Sequence, residues 1–272
     1  AKRWGLPKWR FPPSGSESTM DAIRIARAYT GRDTVMKIFG SYHGHHDYVM
    51  VSIGVEYDRI GDRFDLQSLP YGMGIPEAVS EMTIPVPFND AEARERRIER
   101  LVEEGRPPAC VIMEAAMMNL GVVLPEPGYL EAVREITRKH GIILILDEVM
   151  AGFGRTGTWF GYQNYGIEPD FVTMAKGVAS GYAAISVTAT TEKVFDLFKA
   201  DPSDPMSHFR DISTFGGCTA GPAAALENMR IIEDENLLEN TLKMGARVLD
   251  NLNALMEKHK VIGDVRGKGL FC

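Results

Sequence analysis

Three observations predict an α/β fold with a mostly parallel sheet flanked by helices. The runs Ile142–Leu146 and Phe171–Ala175 are short and apolar but for Thr173, as expected of strands buried on both faces of a parallel sheet. Each run ends in charge, Asp147-Glu148 after the first and Lys176 after the second. Helix-period segments alternate with such runs through short connections, the pattern of βαβ units.

The elements follow in order. Ser14–Ser18 is a small-residue turn opening a helix over about Glu17–Tyr29, which Gly31 stops. Val35–Phe39 is a short strand. Residues 52–85 are rich in Gly, Pro and Asp and read as an irregular excursion or lid. Glu92–Glu104 is a charged helix with Ile98, Leu101 and Val102 inward. Cys110–Glu114 is a strand ending in an acid. Tyr129–His140 is a helix with Leu130, Val133 and Ile136 on one face, and the strand to Asp147 follows. Beyond Lys176, Ala184–Thr190 reads as a strand, Glu192–Lys199 as a helix and Asp201–Pro205 as a loop. Pro222–Glu233 and Leu237–Lys258 are the last long helices.

Composition narrows the function. The chain has 272 residues, 44% hydrophobic and 25% charged, which is ordinary for a globular protein. Its formal net charge of −7 argues against nucleic-acid binding and suits a cytoplasmic enzyme. Cys110, Cys218 and Cys272 are odd in number and far apart, so neither a disulfide framework nor a zinc spacing is present and a reducing compartment is expected. No apolar run reaches the roughly 20 residues of a membrane-spanning helix. The chain opens at Ala1 without a methionine and closes on Gly269-Leu270-Phe271-Cys272, an unfinished strand, so it reads as a piece of a longer protein.

Strand ends carry the candidate chemistry. Ligands of open α/β sheets bind at the carboxyl ends of the strands, which places Asp147 and Lys176 at one crevice. An acid beside a lysine in so apolar a setting suits pyridoxal phosphate: the lysine holds the cofactor covalently and the acid pairs with its ring nitrogen. Four apolar residues before Asp147-Glu148 also match a magnesium-holding NTPase strand, but that reading needs an upstream G-x-x-x-x-G-K-[ST], which is absent. Ser14-Gly15-Ser16-Glu17-Ser18 is either an anion site on free backbone N–H groups or a plain helix cap. Thr214-Phe215-Gly216-Gly217 either cradles phosphate or merely turns. His43 and His45 would share one face of a strand. With no carboxylate or cysteine at ligand spacing, these histidines and His46 suit hydrogen bonding or packing against a cofactor better than metal. Met36, Met50, Met113, Met117, Met118 and Met150 read as core.

Taken together, Ser14-Gly15-Ser16-Glu17, Tyr42-His43-Gly44, Glu114, Asp147-Glu148-Val149, Gly154-Arg155-Thr156-Gly157, Pro169-Asp170, Lys176-Gly177 and Ser213-Thr214-Phe215 resemble the class III, pyridoxal-phosphate-dependent aminotransferases of fold type I. The resemblance covers essentially the whole chain. It implies that Gly15 and Ser16 bind the cofactor phosphate and that Tyr42 stacks on the ring, with His43 beside it. It implies that Asp147 pairs with the ring nitrogen, Val149 packs beneath the ring, Glu114 lies near its phenolic side and Lys176 carries it. Thr214 would reach the phosphate of a neighbouring subunit, in a homodimer with shared sites. The substrates implied are a small amine donor and a keto-acid acceptor.

The halves resemble different branches. From about Gly154 onward, Gly157–Gln163, Phe209–Pro222 and Val265–Gly269 resemble the branch that moves the amino group of taurine to pyruvate. Before Asp147, Met20–Arg24 and Glu114–Asn119 resemble the glutamate-1-semialdehyde aminomutase branch, and Ala115 replaces a proline common after this glutamate. A hybrid with its junction near Leu146–Arg155 would account for this. The expected activity is transamination from taurine or another ω-amino donor to pyruvate. The alternatives are an aminomutase or another class III transaminase and, more remotely, an NTPase or an inactive fragment. Residues 1–240 would form the cofactor-binding large domain, truncated at its start, and 241–272 the beginning of a small one.

Overall fold

A computed structural model describes residues 4–199, 203–204 and 206–272. Seven strands form the main sheet: β1 (Lys8–Arg10), β2 (Thr34–Ile38), β5 (Thr83–Val86), β6 (Pro108–Met113), β7 (Ile143–Asp147), β8 (Phe171–Met174) and β9 (Val187–Thr190), with β3 (Gly61–Asp62) and β4 (Asp65–Leu66) a separate small hairpin. Their order is β1-β9-β8-β7-β6-β2-β5. The five strands from β8 to β5 run parallel, while β9 pairs antiparallel with both β8 and β1. The expected mostly parallel sheet is therefore present, closed at one side by an antiparallel pair.

Helices cover both faces. α1 (Gly15–Thr30) buries Ala22, Ile23, Ile25 and Ala26 against Val35, Cys110, Ile112, Ile143 and Ile145. On the other face, α3 (Ala91–Glu103) and α4 (Tyr129–Lys139) bury Ile98, Leu101, Leu130, Val133 and Ile136 against Met36, Val111, Met113, Leu144 and Leu146. Alternate residues of one strand feed opposite layers, the period of two that makes a doubly covered strand read as a continuous apolar run. α2 (Glu77–Ser80) and α5 (Glu192–Phe195) are single turns, and α6 (Ala220–Asp234) packs with α7 (Leu237–Lys258). The boundary expected at 240/241 falls in the first turn of α7.

Several expectations need correction. The segment 52–85 is not wholly irregular: it ends in β5, an edge strand of the main sheet. Pro85 hides that strand in the sequence, yet proline is tolerated at an edge, where its missing N–H faces no partner. β1 is a three-residue charged edge strand, too short to show a period. Val102 is half exposed rather than inward. The strand expected over Ala184–Thr190 is confined to Val187–Thr190, and the helix over Glu192–Lys199 tightens to a 3₁₀ turn after Phe195. Of the expected 201–205 loop, Asp201, Pro202 and Pro205 lie outside the described residues; Ser203 is in a turn. Among the described residues no helix is long and apolar enough to cross a membrane.

Candidate active site

The carboxyl ends of β6, β7 and β8 converge on one cavity. Register alone brings them together: Leu146 pairs with Met113 and Asp147 with Thr173, so Glu114, Asp147 and Ala175-Lys176 emerge side by side. The cavity measures about 180 Å³, and its lining includes Gly15, Ser16, Tyr42, His43, Glu114, Asp147, Val149 and Lys176. Eight of the nine site residues named from the sequence thus share one cavity. Thr214 does not line it; it is exposed in the loop before α6.

Asp147 is buried at the end of β7. Its Oδ2 accepts from His43 Nδ1 at 2.8 Å and its Oδ1 from the backbone N–H of Val149 at 3.0 Å. Burial pushes the basicity of His43 down, against the pull of the Asp147 hydrogen bond, so the ring is held neutral with its proton on Nδ1. Its Nε2 is buried without a protein partner. The expectation that His43 and His45 share a strand face is corrected: the 41–46 segment has no regular structure, His43 is buried and His45 is exposed.

Glu114 is also buried, and its Oε2 accepts the Met118 N–H at 3.2 Å. Burial, reinforced by the charge of Asp147, holds its carboxyl well above the usual range, so it is a proton-bearing acid.

The first turn of α1 forms the far wall. Ser14 is the N-cap: its Oγ accepts from the Glu17 N–H at 3.3 Å and donates to Glu17 Oε2 at 2.8 Å. Helix geometry also leaves the N–H groups of Gly15 and Ser16 without an intrahelical acceptor, at the positive end of the helix dipole. A Cβ on Gly15 would lie 3.2 Å from a Val149 methyl. Ser16 Oγ lies 2.9 Å from His45 Nδ1. The approach is tight because Gly44 has φ +110° and a Cβ there would lie 2.7 Å from the Ser16 Cα.

Lys176 departs from expectation in one respect. The apolar residues around it in sequence suggest a desolvated amine, but its side chain is exposed. β8 ends at Met174, so Lys176 stands two positions past the ladder, on the rim of the cavity. Its φ of +41° is a left-handed conformation that costs a non-glycine residue about 1–3 kcal/mol, and such strain concentrates at functional sites.

Four buried methionines (Met36, Met113, Met117 and Met118) are core as expected, whereas Met150 lines the cavity. Sequence reasoning gave no separate role to Glu148. It stands just past β7, and its carboxyl oxygens accept the Gly161 and Tyr162 N–H groups at 2.7 and 2.9 Å. Lys37 was missed altogether. It is fully buried and its Nζ donates to the carbonyls of Ser41 and Val51. Its signal was a lysine inside a strand buried on both faces.

The family model for class-III aminotransferases matches residues 5–272. The chain belongs to the class-III aminotransferase family. A taurine–pyruvate aminotransferase of Rhodobacter capsulatus is 62% identical, over 100% of this chain and 60% of that protein. A glutamate-1-semialdehyde 2,1-aminomutase of Methanococcus maripaludis is 35% identical, over 93% of this chain and 55% of its own length. Among solved structures, an omega-transaminase from Sphaerobacter thermophilus superposes with a TM-score of 0.87 at 30% identity, covering 98% of this chain and 59% of that one. The fold is therefore that of fold type I transaminases. The chain spans about 60% of the length of its Rhodobacter relative, whose match runs across the Leu146–Arg155 stretch where the branch resemblances change.

Proposed function

We propose that this class-III aminotransferase chain forms the pyridoxal-phosphate site of an enzyme that transfers the amino group of taurine, or another ω-amino donor, to pyruvate, giving alanine. The observation that carries the cofactor reading is the placement of Asp147: a buried carboxylate at the cavity floor, with a lysine on the rim and a helix N-terminus on the far wall. The donor set fits the group, with an acid for a ring nitrogen, an amine for an aldehyde and free N–H groups for a phosphate. When bound, this cofactor supplies an electron sink for the carbanion formed at the substrate's amine-bearing carbon.

The chain's own residues do the rest. Asp147, oriented by the His43 and Val149 N–H groups, would pair with the ring nitrogen. Lys176 Nζ would be the amine that holds the cofactor and that carries a proton as base and then acid. Gly15 and Ser16 would hold the phosphate, Tyr42 and Val149 would pack against the ring, and Glu114 would offer a proton to it. Thr214, exposed and away from this cavity, serves the site of a second copy in a homodimer. The free cysteines suit a cytoplasmic setting. The taurine assignment rests on the similarity to the Rhodobacter relative.

Absorption spectroscopy with added pyridoxal phosphate, then borohydride reduction and peptide mapping, tests the site. A cofactor fixed on Lys176 is expected; fixation elsewhere, or none on a folded protein, refutes the reading. A panel of amine donors with pyruvate then tests the substrate. Turnover of glutamate-1-semialdehyde without any keto acid would replace the transaminase assignment with an aminomutase.

A further inference from the structure

Lys37 lies on β2 with no role in the chemistry above. It is fully buried, and it faces two backbone carbonyls instead of a carboxylate: Nζ donates to Ser41 O and to Val51 O, both at 2.7 Å. Those carbonyls lie at the two ends of the 41–51 loop. The backbone bond from Gly40 N–H to Ser52 O, 2.8 Å, closes the same neck from outside. The loop carries Tyr42, which walls the cavity, and His43, which holds Asp147. Strand alternation puts Lys37 in register with Val35, on the α1 side of the sheet, where Thr19 Oγ1 also donates to His43 O at 2.6 Å.

We propose that Lys37 is a positioning residue: its amino group straps the neck of the 41–51 loop and so fixes Tyr42 and His43 against Asp147. A buried amine satisfied only by carbonyls is a costly way to fill space, since burying a donor without full compensation is unfavourable and an apolar residue would pack there at no such cost. What the amine adds over a methionine of similar volume is two directed bonds to two chain segments. An ammonium or a neutral amine can make both, so the strap holds on either side of the lysine's titration. Burial lowers that pKa to about 7, and the Lys37 charge in turn helps keep His43 neutral.

This rests on the cofactor reading only for its consequence, not for the strap itself. The first test therefore uses cofactor-free protein, comparing wild type with Lys37→Met by amide hydrogen exchange and by the low-field imidazole proton of His43. Exchange in 41–51 should rise about tenfold or more and the His43 signal should broaden or move, while α4 stays as protected as in wild type. Wild-type protection of 41–51 with an unmoved His43 signal in the variant overturns the strap. If Lys37→Met does not fold, lysine acylation footprinting of the wild type decides: Lys37 unlabelled while Lys139 reacts upholds the buried strap, and a labelled Lys37 overturns it. With pyridoxal phosphate, a folded Lys37→Met should bind about tenfold more weakly. A loosened loop in a protein whose wild type forms no Lys176 adduct would uphold the strap and sink the cofactor reading instead.

Discussion

Asp147→Asn separates what the carboxylate does for the fold from what it does for chemistry. Asparagine is isosteric and can keep its oxygen on the Val149 N–H, now 3.0 Å from Oδ1. The new amide group then points its hydrogens at His43 Nδ1, 2.8 Å away in the wild type, where a proton already sits. The ring can escape this clash by moving its proton to Nε2. That nitrogen is buried with no protein partner, so the escape leaves an unpaired N–H, which costs about 1–3 kcal/mol. Losing the charge also lets Glu114 ionise more easily, since Asp147 is one of the causes of its raised pKa. The stability loss should therefore stay within about 3 kcal/mol by urea denaturation. The functional loss should be larger. A buried ionic partner is worth about 3–5 kcal/mol when its mate is removed, and at 1.4 kcal/mol per decade the rate of the proposed transamination should fall roughly 10²- to 10⁴-fold. A folded, cofactor-loaded variant within tenfold of wild type would refute the role given to Asp147.

Glu148→Ala should cost about 2–5 kcal/mol in denaturant unfolding, because it leaves the Gly161 and Tyr162 N–H groups buried and unpaired, yet Lys176 should still take up the cofactor. Burial raises the Glu148 carboxyl to about 8, so between its ordinary value of 4.5 and 8 the folded state keeps a proton that the unfolded chain releases. Its contribution to stability therefore falls as pH rises through that window, and a pH series of melts on Glu148→Gln should lack this fall. Lys37 has the opposite sign. Its folded pKa of about 7 lies below 10.5, the unfolded chain binds the extra proton between them, and stability from this group grows as pH rises through that range. That slope should vanish in Lys37→Met. Gly15→Val should push branched methyls into Val149 and Ala175, whose nearest carbons lie 3.2–3.4 Å from a mere Cβ, and so weaken cofactor binding about tenfold or more by spectroscopic titration.

What was legible in the sequence was what burial writes into it. β6, β7 and β8 lie in the sheet interior with helices on both sides, so their residues are apolar but for Thr173 and the charged residue following each run stands out. Asp147, Glu114 and Lys176 were found that way, and parallel register alone is enough to bring them together. The edge strands carried no such mark: β5 holds a proline and β1 is mostly basic, since an edge needs neither full hydrogen bonding nor full burial. The exposure of Lys176 was illegible for a related reason. Apolar neighbours in the chain say that the strand is buried, but a residue two steps past its last ladder bond faces whatever the next turn dictates, here a left-handed one that swings it to the rim. Lys37 failed in the reverse direction. A charge within a strand was passed over as ordinary, when a strand covered on both faces has no solvent to give it, and that lysine had to be bonded to something specific. A charge that breaks an apolar strand's pattern thus carries as much information as one that ends it. The terminal charge marks where the cavity opens, and the interior one marks what holds the cavity's wall in place.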